Sequence, residues 1–238
     1  MSGLATLKEC LAAGFEATIF EAQGHIGGQW QYTDPDPVTG EVHSSIYRGI
    51  IFNSCRDTSS FSDFPMDPAS YSVYTGHKQF VQYLHEYAKF FNLMSHIKFS
   101  TRVMKCVQLE GGKWEITSSA EEGAKTGTYD ALFACTGHNT TPFIPQFQGV
   151  ADFKGQFIHS HVYRTPGAFE GKKVAVIGVG SSGISSIPQP SLPFIYVSRS
   201  CGHRLRNCSS SQRTPRDHPE RGLDHTTLCL RQASRGIR

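Results

Sequence analysis

Lys173 to Ile177 is a short β-branched run that ends on a glycine-rich turn, K-V-A-V-I-G-V-G-S-S-G, in which Gly178, Gly180 and Gly183 stand as G-x-G-x-x-G around Ser181 and Ser182. A strand feeding such a turn brings backbone amides up to a pyrophosphate at the start of the next helix. In that reading the turn stands between parallel strands joined by crossover helices, the arrangement of an α/β fold. Taken alone, the spacing equally describes an ordinary buried strand with a glycine turn. The neighbouring segments decide between the two.

Just ahead stand Phe153, Gly155, His159 and Tyr163, in the order F-x-G-x-x-x-H-x-x-x-Y. This combination resembles the fingerprint of the flavin-containing monooxygenases, the N- and S-oxygenating flavoproteins. The Baeyer–Villiger monooxygenases carry a similar fingerprint that usually closes with Trp-Pro, whereas Tyr163 and Arg164 close it here. The resemblance therefore favours heteroatom oxygenation, with ketone insertion as the alternative. It implies an α/β flavoprotein with two dinucleotide-binding, Rossmann-like domains, FAD and NADPH as cofactors, O2 as co-substrate and a small lipophilic amine or thioether as substrate. His159 and Tyr163 are expected to organise the linker rather than to transfer protons.

Upstream, residues 3–14 carry Leu4, Leu7, Leu11 and Ala12 at helical spacing and stop on Gly14. Ala17 to Phe20 then reads as a strand ending in Glu21, the position at which an acid accepts hydrogen bonds from adenosine ribose hydroxyls. Gly27-Gly28-Gln29-Trp30 follows and resembles the family's G-G-x-W segment, which passes over the flavin; Gly28, Gln29 and Trp30 are thereby implied as FAD contacts. Glycine there admits close backbone approach to a flat ring. Of the family's own first glycine motif only Ser2 and Gly3 are matched, so the FAD domain is expected to lack its first strand.

Asn53 and Ser54 precede the run Ser62-Asp63-Phe64-Pro65, a spacing similar to the family's, which implies Asn53 as the residue facing the flavin where oxygen adds. A neutral amide can donate a hydrogen bond there without delivering a proton early. His77 to Leu93 is an amphipathic helix whose Phe80, Tyr83, Leu84, Tyr87, Phe90 and Phe91 read as core, not as a cofactor box. Ile97 to Leu109 and Lys113 to Thr117 read as a hairpin around Gly111-Gly112, with Val103 implied near the FAD adenine. Tyr129-Asp130 opens a further strand, and the resemblance makes Thr136-Gly137 the hinge toward the NADPH domain. Phe194 to Val197 is the second strand of that domain, closed by Ser198 and Arg199; an arginine there suits a 2′-phosphate and hence NADPH. Pro188 and Pro190 would break the helix expected between turn and strand.

The expected divisions are residues 1–138 for FAD binding, 139–170 for the linker with the fingerprint, 171–200 for the start of the NADPH-binding domain, and a disordered tail over 201–238. That tail holds eight arginines against three acids, a net +5, which leaves −2 for residues 1–200 out of a total of +3. A near-neutral body offers no basic stripe for nucleic acid. No apolar run approaches the roughly 20 residues of a membrane span, and seven cysteines without framework spacing suit a reducing compartment, so a cytoplasmic protein is expected. The Cys and His residues of the tail match no zinc spacing, and no metal site is expected. An alternative of another class is an inactive fragment with residual nucleotide binding.

Overall fold

Leu4, Leu7 and Cys10 fall on one side of a helical period, and their burial defines the inner face of helix α1, Ser2–Ala12. The helix ends where Gly14 adopts φ +81°, and the amides of Gly14 and Phe15 return to the carbonyls of Leu11 and Cys10 at 3.0 Å. Strand β1 follows, Glu16–Phe20, directing Ala17 and Ile19 toward the helices and Phe20 to the opposite face. The computed structural model describes residues 1–120, 123–177, 194–195 and 227–231.

A short helix α2, Arg56–Ser59, interrupts the long loop after β1, and helix α3 runs His77–Phe90. The aromatic stripe of α3 is the centre of the core, with Phe80, Tyr83, Leu84 and Tyr87 all at 1% exposure or less. Phe90, expected on that stripe, is instead 64% exposed, while Phe91 packs against Tyr87 and Leu93 is fully buried in the same core. The Tyr83 hydroxyl accepts from the Phe61 amide and donates to the Phe64 carbonyl, both at 2.7 Å, tying the Ser-Asp-Phe-Pro run to the helix.

Eight more strands complete the described structure: β2 Ile97–Lys98, β3 Arg102–Gln108, β4 Trp114–Ala120, β5 Gly123–Tyr129, β6 Ala131–Ala134, β7 Val174–Ala175, β8 Phe194–Ile195 and β9 Thr227–Arg231. The run expected as one strand from Ile97 to Leu109 is split in two, with Ser100 at φ +49° between β2 and β3. Strands β3 and β4 form the expected hairpin, turned by Gly111 and Gly112, both at φ +83°. A third antiparallel strand, β5, ends on Tyr129, so the expected strand opening at Tyr129 begins instead at Ala131. Its polar, glycine-containing text gives no strand period; pairing along Trp114–Ala120 forms it.

The other sheet has the order β2-β1-β9-β6. β1 and β2 are parallel, with Ile19 opposite Ile97. β9 is antiparallel to both of its neighbours, Thr227 lying opposite Phe20 on one side and Ala134 on the other. β1, β2 and β6 therefore share one direction, and β9 runs against them. These five residues lie inside the stretch expected to be disordered, and for them that expectation is corrected: T-L-C-L-R finds two strand edges to join, something its surroundings in the sequence do not announce. β7 and β8 form a separate parallel pair.

Candidate functional site

The carboxyl ends of β1, β2 and β6 form one edge, where ligands of open α/β sheets sit. Glu21 is the first residue past β1 and is only 7% exposed. Its amide donates to the Lys98 carbonyl and its carbonyl accepts from the Thr101 amide, each at 2.9 Å, while its carboxylate accepts from the Gln23 amide at 2.9 Å. The residue is thus held by backbone on three sides. The first turn of α1, with Ser2 and buried Gly3, faces the same edge: burial lowers the pKa of the Met1 amine, and nearby Cys135 and Glu21 oppose that shift. The Cys135 thiol lies 4.0 Å from the Thr6 hydroxyl, which puts Thr136 and Gly137, at φ +74°, beside the start of the helix. Val103 joins from β3, two residues past the Thr101 amide that binds Glu21; it is 1% exposed and pairs with Ser118 of β4.

The second group forms around a tight turn at Gly28–Trp30. Gly27 has φ +129°, and a Cβ there would stand 3.2 Å from Gln31 Cβ and 3.5 Å from the Val81 side chain, so only glycine lets the turn lie against α3. Gly28 has φ +51° with open space where its Cβ would be. The Trp30 ring packs 3.9 Å from Phe52 and 5.3 Å from Phe80 between centroids, anchoring the turn in the core. Phe52 is buried against Trp30, and the next residue, Asn53, is exposed. Gln29 is fixed from behind, its carbonyl accepting from the Ser44 hydroxyl.

The fingerprint residues lie on a loop with short helical turns. Phe153 is 60% exposed, and its ring passes so close to Gly155 that a Cβ there would fall 2.4 Å from it. The His159 imidazole accepts from the His161 amide at 3.1 Å and caps the turn Ser160–Val162, and burial lowers its pKa. The Tyr163 ring packs at a tilt against Tyr47 and Phe169, with centroids 5.4 Å and 5.9 Å away. The residues buried most deeply here are His161 and Arg164, at 7% and 9% exposure. Sequence reasoning passed over His161 and read Arg164 only as the closing member of the motif; nothing in residue type marks an arginine as buried. Gly178, Gly180, Ser181, Ser182, Gly183, Ser198 and Arg199 lie outside the described residues, as do Pro188 and Pro190.

A dinucleotide fits this edge in part. A buried carboxylate beside a helix amino end suits an adenosine ribose, and the open side of Gly28 suits a flat ring. The centre fits less well, because β9 enters it at Thr227, opposite in direction to a strand that would turn into α1. A cavity of about 150 Å³ lined by Glu16, Thr18, Lys98, Tyr129 and Cys229 opens on the other face of β1 and includes none of the expected site residues. Among the described residues no group of His, Cys, Asp and Glu could hold a metal ion, and no helix is long and apolar enough to cross a membrane.

A family model described as flavin-binding monooxygenase-like matches residues 1–190. Flavin-containing monooxygenase 1 of Homo sapiens is 40% identical over 189 residues, which cover 77% of this chain and 35% of that protein. The N-oxide-forming dimethylaniline monooxygenase 2 of Macaca mulatta is 36% identical over the same shares. Among solved structures, S-allyl-L-cysteine S-oxygenase from Allium sativum matches with a TM-score of 0.67 at 30% identity, over 73% of this chain and 42% of that one. Fold and edge together define a dinucleotide-binding α/β flavoprotein. Within that class, the chain belongs to the flavin-binding monooxygenase-like family. It spans 35% of the length of the curated relatives named here.

Proposed function

We propose that this chain carries the flavin-facing part of an NADPH- and O2-dependent monooxygenase that oxygenates nitrogen or sulfur in small lipophilic substrates. The observation that carries the reading is the convergence of the turn Gly28–Trp30, Asn53 and the fingerprint segment on one loop cluster, held by Ser44, Phe52 and Arg164. FAD, when bound, supplies electron transfer from NADPH and the activation of oxygen. Glu21 accepts the ribose hydroxyls, and the first turn of α1 with Ser2 and Gly3 offers amides to negative charge. The turn Gly28–Trp30 admits the ring and shields it from water, while Asn53 donates a neutral hydrogen bond beside it. No side chain is assigned as general acid or base. Gly178, Gly180, Ser181, Ser182 and Gly183 bind NADPH, and Ser198 and Arg199 hold its 2′-phosphate. The divisions at residues 138, 170 and 200 and a cytoplasmic location belong to the same proposal.

One observation favours a second reading. β9 occupies the central position of the sheet in the reverse direction, which supports a folded but inactive chain with residual nucleotide binding. Visible spectroscopy of the full chain reconstituted with FAD, followed by NADPH oxidation with N,N-dimethylaniline, separates the two. A yellow protein that forms the N-oxide is expected; a colourless one overturns the oxygenase reading. In an active protein, Asn53→Asp should lower N-oxide formation by about 100-fold, the scale of losing one aligned donor.

A further inference from the structure

We infer that Arg164 is a positioning residue: a buried cation that binds the end of the fingerprint to the 42–48 loop and, through Ser44, sets the turn at Gln29 and Trp30 on which the flavin ring is proposed to lie. The inference rests on the oxygenase reading for its flavin end and on geometry alone for its clamp.

The guanidinium donates to four backbone carbonyls. Nη2 reaches Ser44 at 2.6 Å, and Nη1 reaches Tyr163 at 2.8 Å, His161 at 3.0 Å and Ile46 at 3.3 Å. Two of these carbonyls lie within three residues of Arg164 and two lie 118 and 120 residues away, so the planar fork is the joint between the segments. The backbone answers in kind, the Arg48 amide donating to the Arg164 carbonyl at 3.0 Å. His161 adds a second tie. Its Nε2 donates to the Val42 carbonyl at 3.0 Å, since a carbonyl can only accept, and its Nδ1 lies in hydrogen-bond contact with the Ser45 hydroxyl at 2.6 Å.

From Ser44 the connection continues to the flavin side. Ser44 is fully buried; its carbonyl takes Arg164, its hydroxyl accepts from the Ile46 amide at 3.1 Å, and the same hydroxyl donates to the Gln29 carbonyl. Arg164 thus stands two contacts from the turn that carries Trp30.

A buried guanidinium is an expensive way to pack a loop. No carboxylate lies within 4.0 Å of it among the described residues, its Nε is buried with no partner among them, and the Tyr32 ring, whose hydroxyl donates to Asp34, lies 6.0 Å away. Burial accordingly lowers its pKa. An apolar side chain would avoid this desolvation. Only a residue with several donors in one plane satisfies carbonyls from both segments at their crossing, which lysine, a single point of charge, does not.

Native-state amide exchange and FAD titration on the full chain test this, using Arg164→Met, Arg164→Lys, Ser44→Ala and the double variant of Ser44→Ala with Arg164→Met. Both arginine variants should speed exchange of the Ile46 and Arg48 amides by about tenfold or more while leaving α3 unchanged, and weaken FAD binding by about tenfold. The double variant should bind FAD no worse than its weaker parent, as expected for two members of one connection. Unchanged exchange at Ile46 and Arg48 overturns the clamp, as does an equal acceleration in α3, which would mark general loosening. A clamp without any change in FAD affinity overturns the flavin end. If the unaltered chain takes up no FAD, the oxygenase reading and the flavin end fall together, and the exchange pattern alone then decides the clamp.

Discussion

Glu21 and His77 show how burial gives a single side chain its consequence. Two of the contacts that hold Glu21 run through its own amide and carbonyl, and a glutamine Oε1 can still accept from the Gln23 amide, so Glu21→Gln should leave thermal stability within about 0.5 kcal/mol, the range of neutral substitutions. The same change should weaken FAD binding by about tenfold, since two ribose hydroxyls would lose a charged acceptor; isothermal titration with FAD checks it. Burial lowers the pKa of both His77 and His159 from the usual 6.5, with contacts from the Arg48 and Trp30 backbone partly opposing it at His77. Both are therefore neutral in the fold. The unfolded chain protonates first as pH falls, so their contribution is complete above about pH 6.5 and is lost as pH drops through and below that value. Urea midpoints measured from pH 8 to pH 5 should decline in that window, and His77→Gln should flatten the decline. At this scale the sequence was informative about chemistry and silent about depth. Residue type, spacing and family resemblance single out Glu21, Asn53 and the fingerprint as candidates, whereas the burial of Arg164 shows only in the carbonyls that hold it.

Among the elements, α3 was the most legible because its aromatic residues recur every three or four positions and no proline or glycine interrupts them. That stripe now carries the packing, and Tyr83 also carries a polar task. Tyr83→Phe keeps the ring but leaves the Phe61 amide and the Phe64 carbonyl without the hydroxyl that serves both, so it should cost about 1–3 kcal/mol in chemical unfolding. Phe80→Ala removes a ring that touches Trp30, Phe52 and Tyr83 and should cost about 3–5 kcal/mol. The hairpin of β3 and β4 was legible for a local reason, two glycines with left-handed backbone at its turn. β5 was not, since Gly123–Tyr129 contains two glycines, a lysine and two threonines and forms only against a partner strand already in place. Elements written in local period can be read from the chain; elements completed by a neighbour cannot.

The whole molecule turns on β9. The parallel pair of β2 and β1 is joined to β6, which runs the same way, through one strand of opposite direction drawn from near the end of the chain. Without it, β1 and β6 would each present a row of unpaired backbone groups, and α1, which packs on the same face, would lose Leu230 from the core that contains Leu4 and Ala17. No local signal marks the strand, because its five residues sit in an arginine- and serine-rich stretch and its register is set by edges far upstream. Cysteine chemistry tests whether this strand is in place in solution. Cys229 is 1% exposed and burial pushes its thiol up to about 12, whereas hydrogen bonds with Thr58 lower the pKa of Cys55. Thiolate is the reactive form, so iodoacetamide at pH 8 should alkylate Cys55 early and spare Cys229. Leu230→Asp would place an unpaired carboxylate in the core at a cost of several kcal/mol, which expels β9 more cheaply than it is tolerated. Peptide mapping by mass spectrometry should then find Cys229 labelled at the rate of an unfolded thiol while Cys10, buried on the inner face of α1, stays protected. Labelling of Cys229 as fast as Cys55 in the unaltered protein would show that β9 is not held between β1 and β6, and loss of Cys10 protection in the variant would show that the strand supports the entire α1 core.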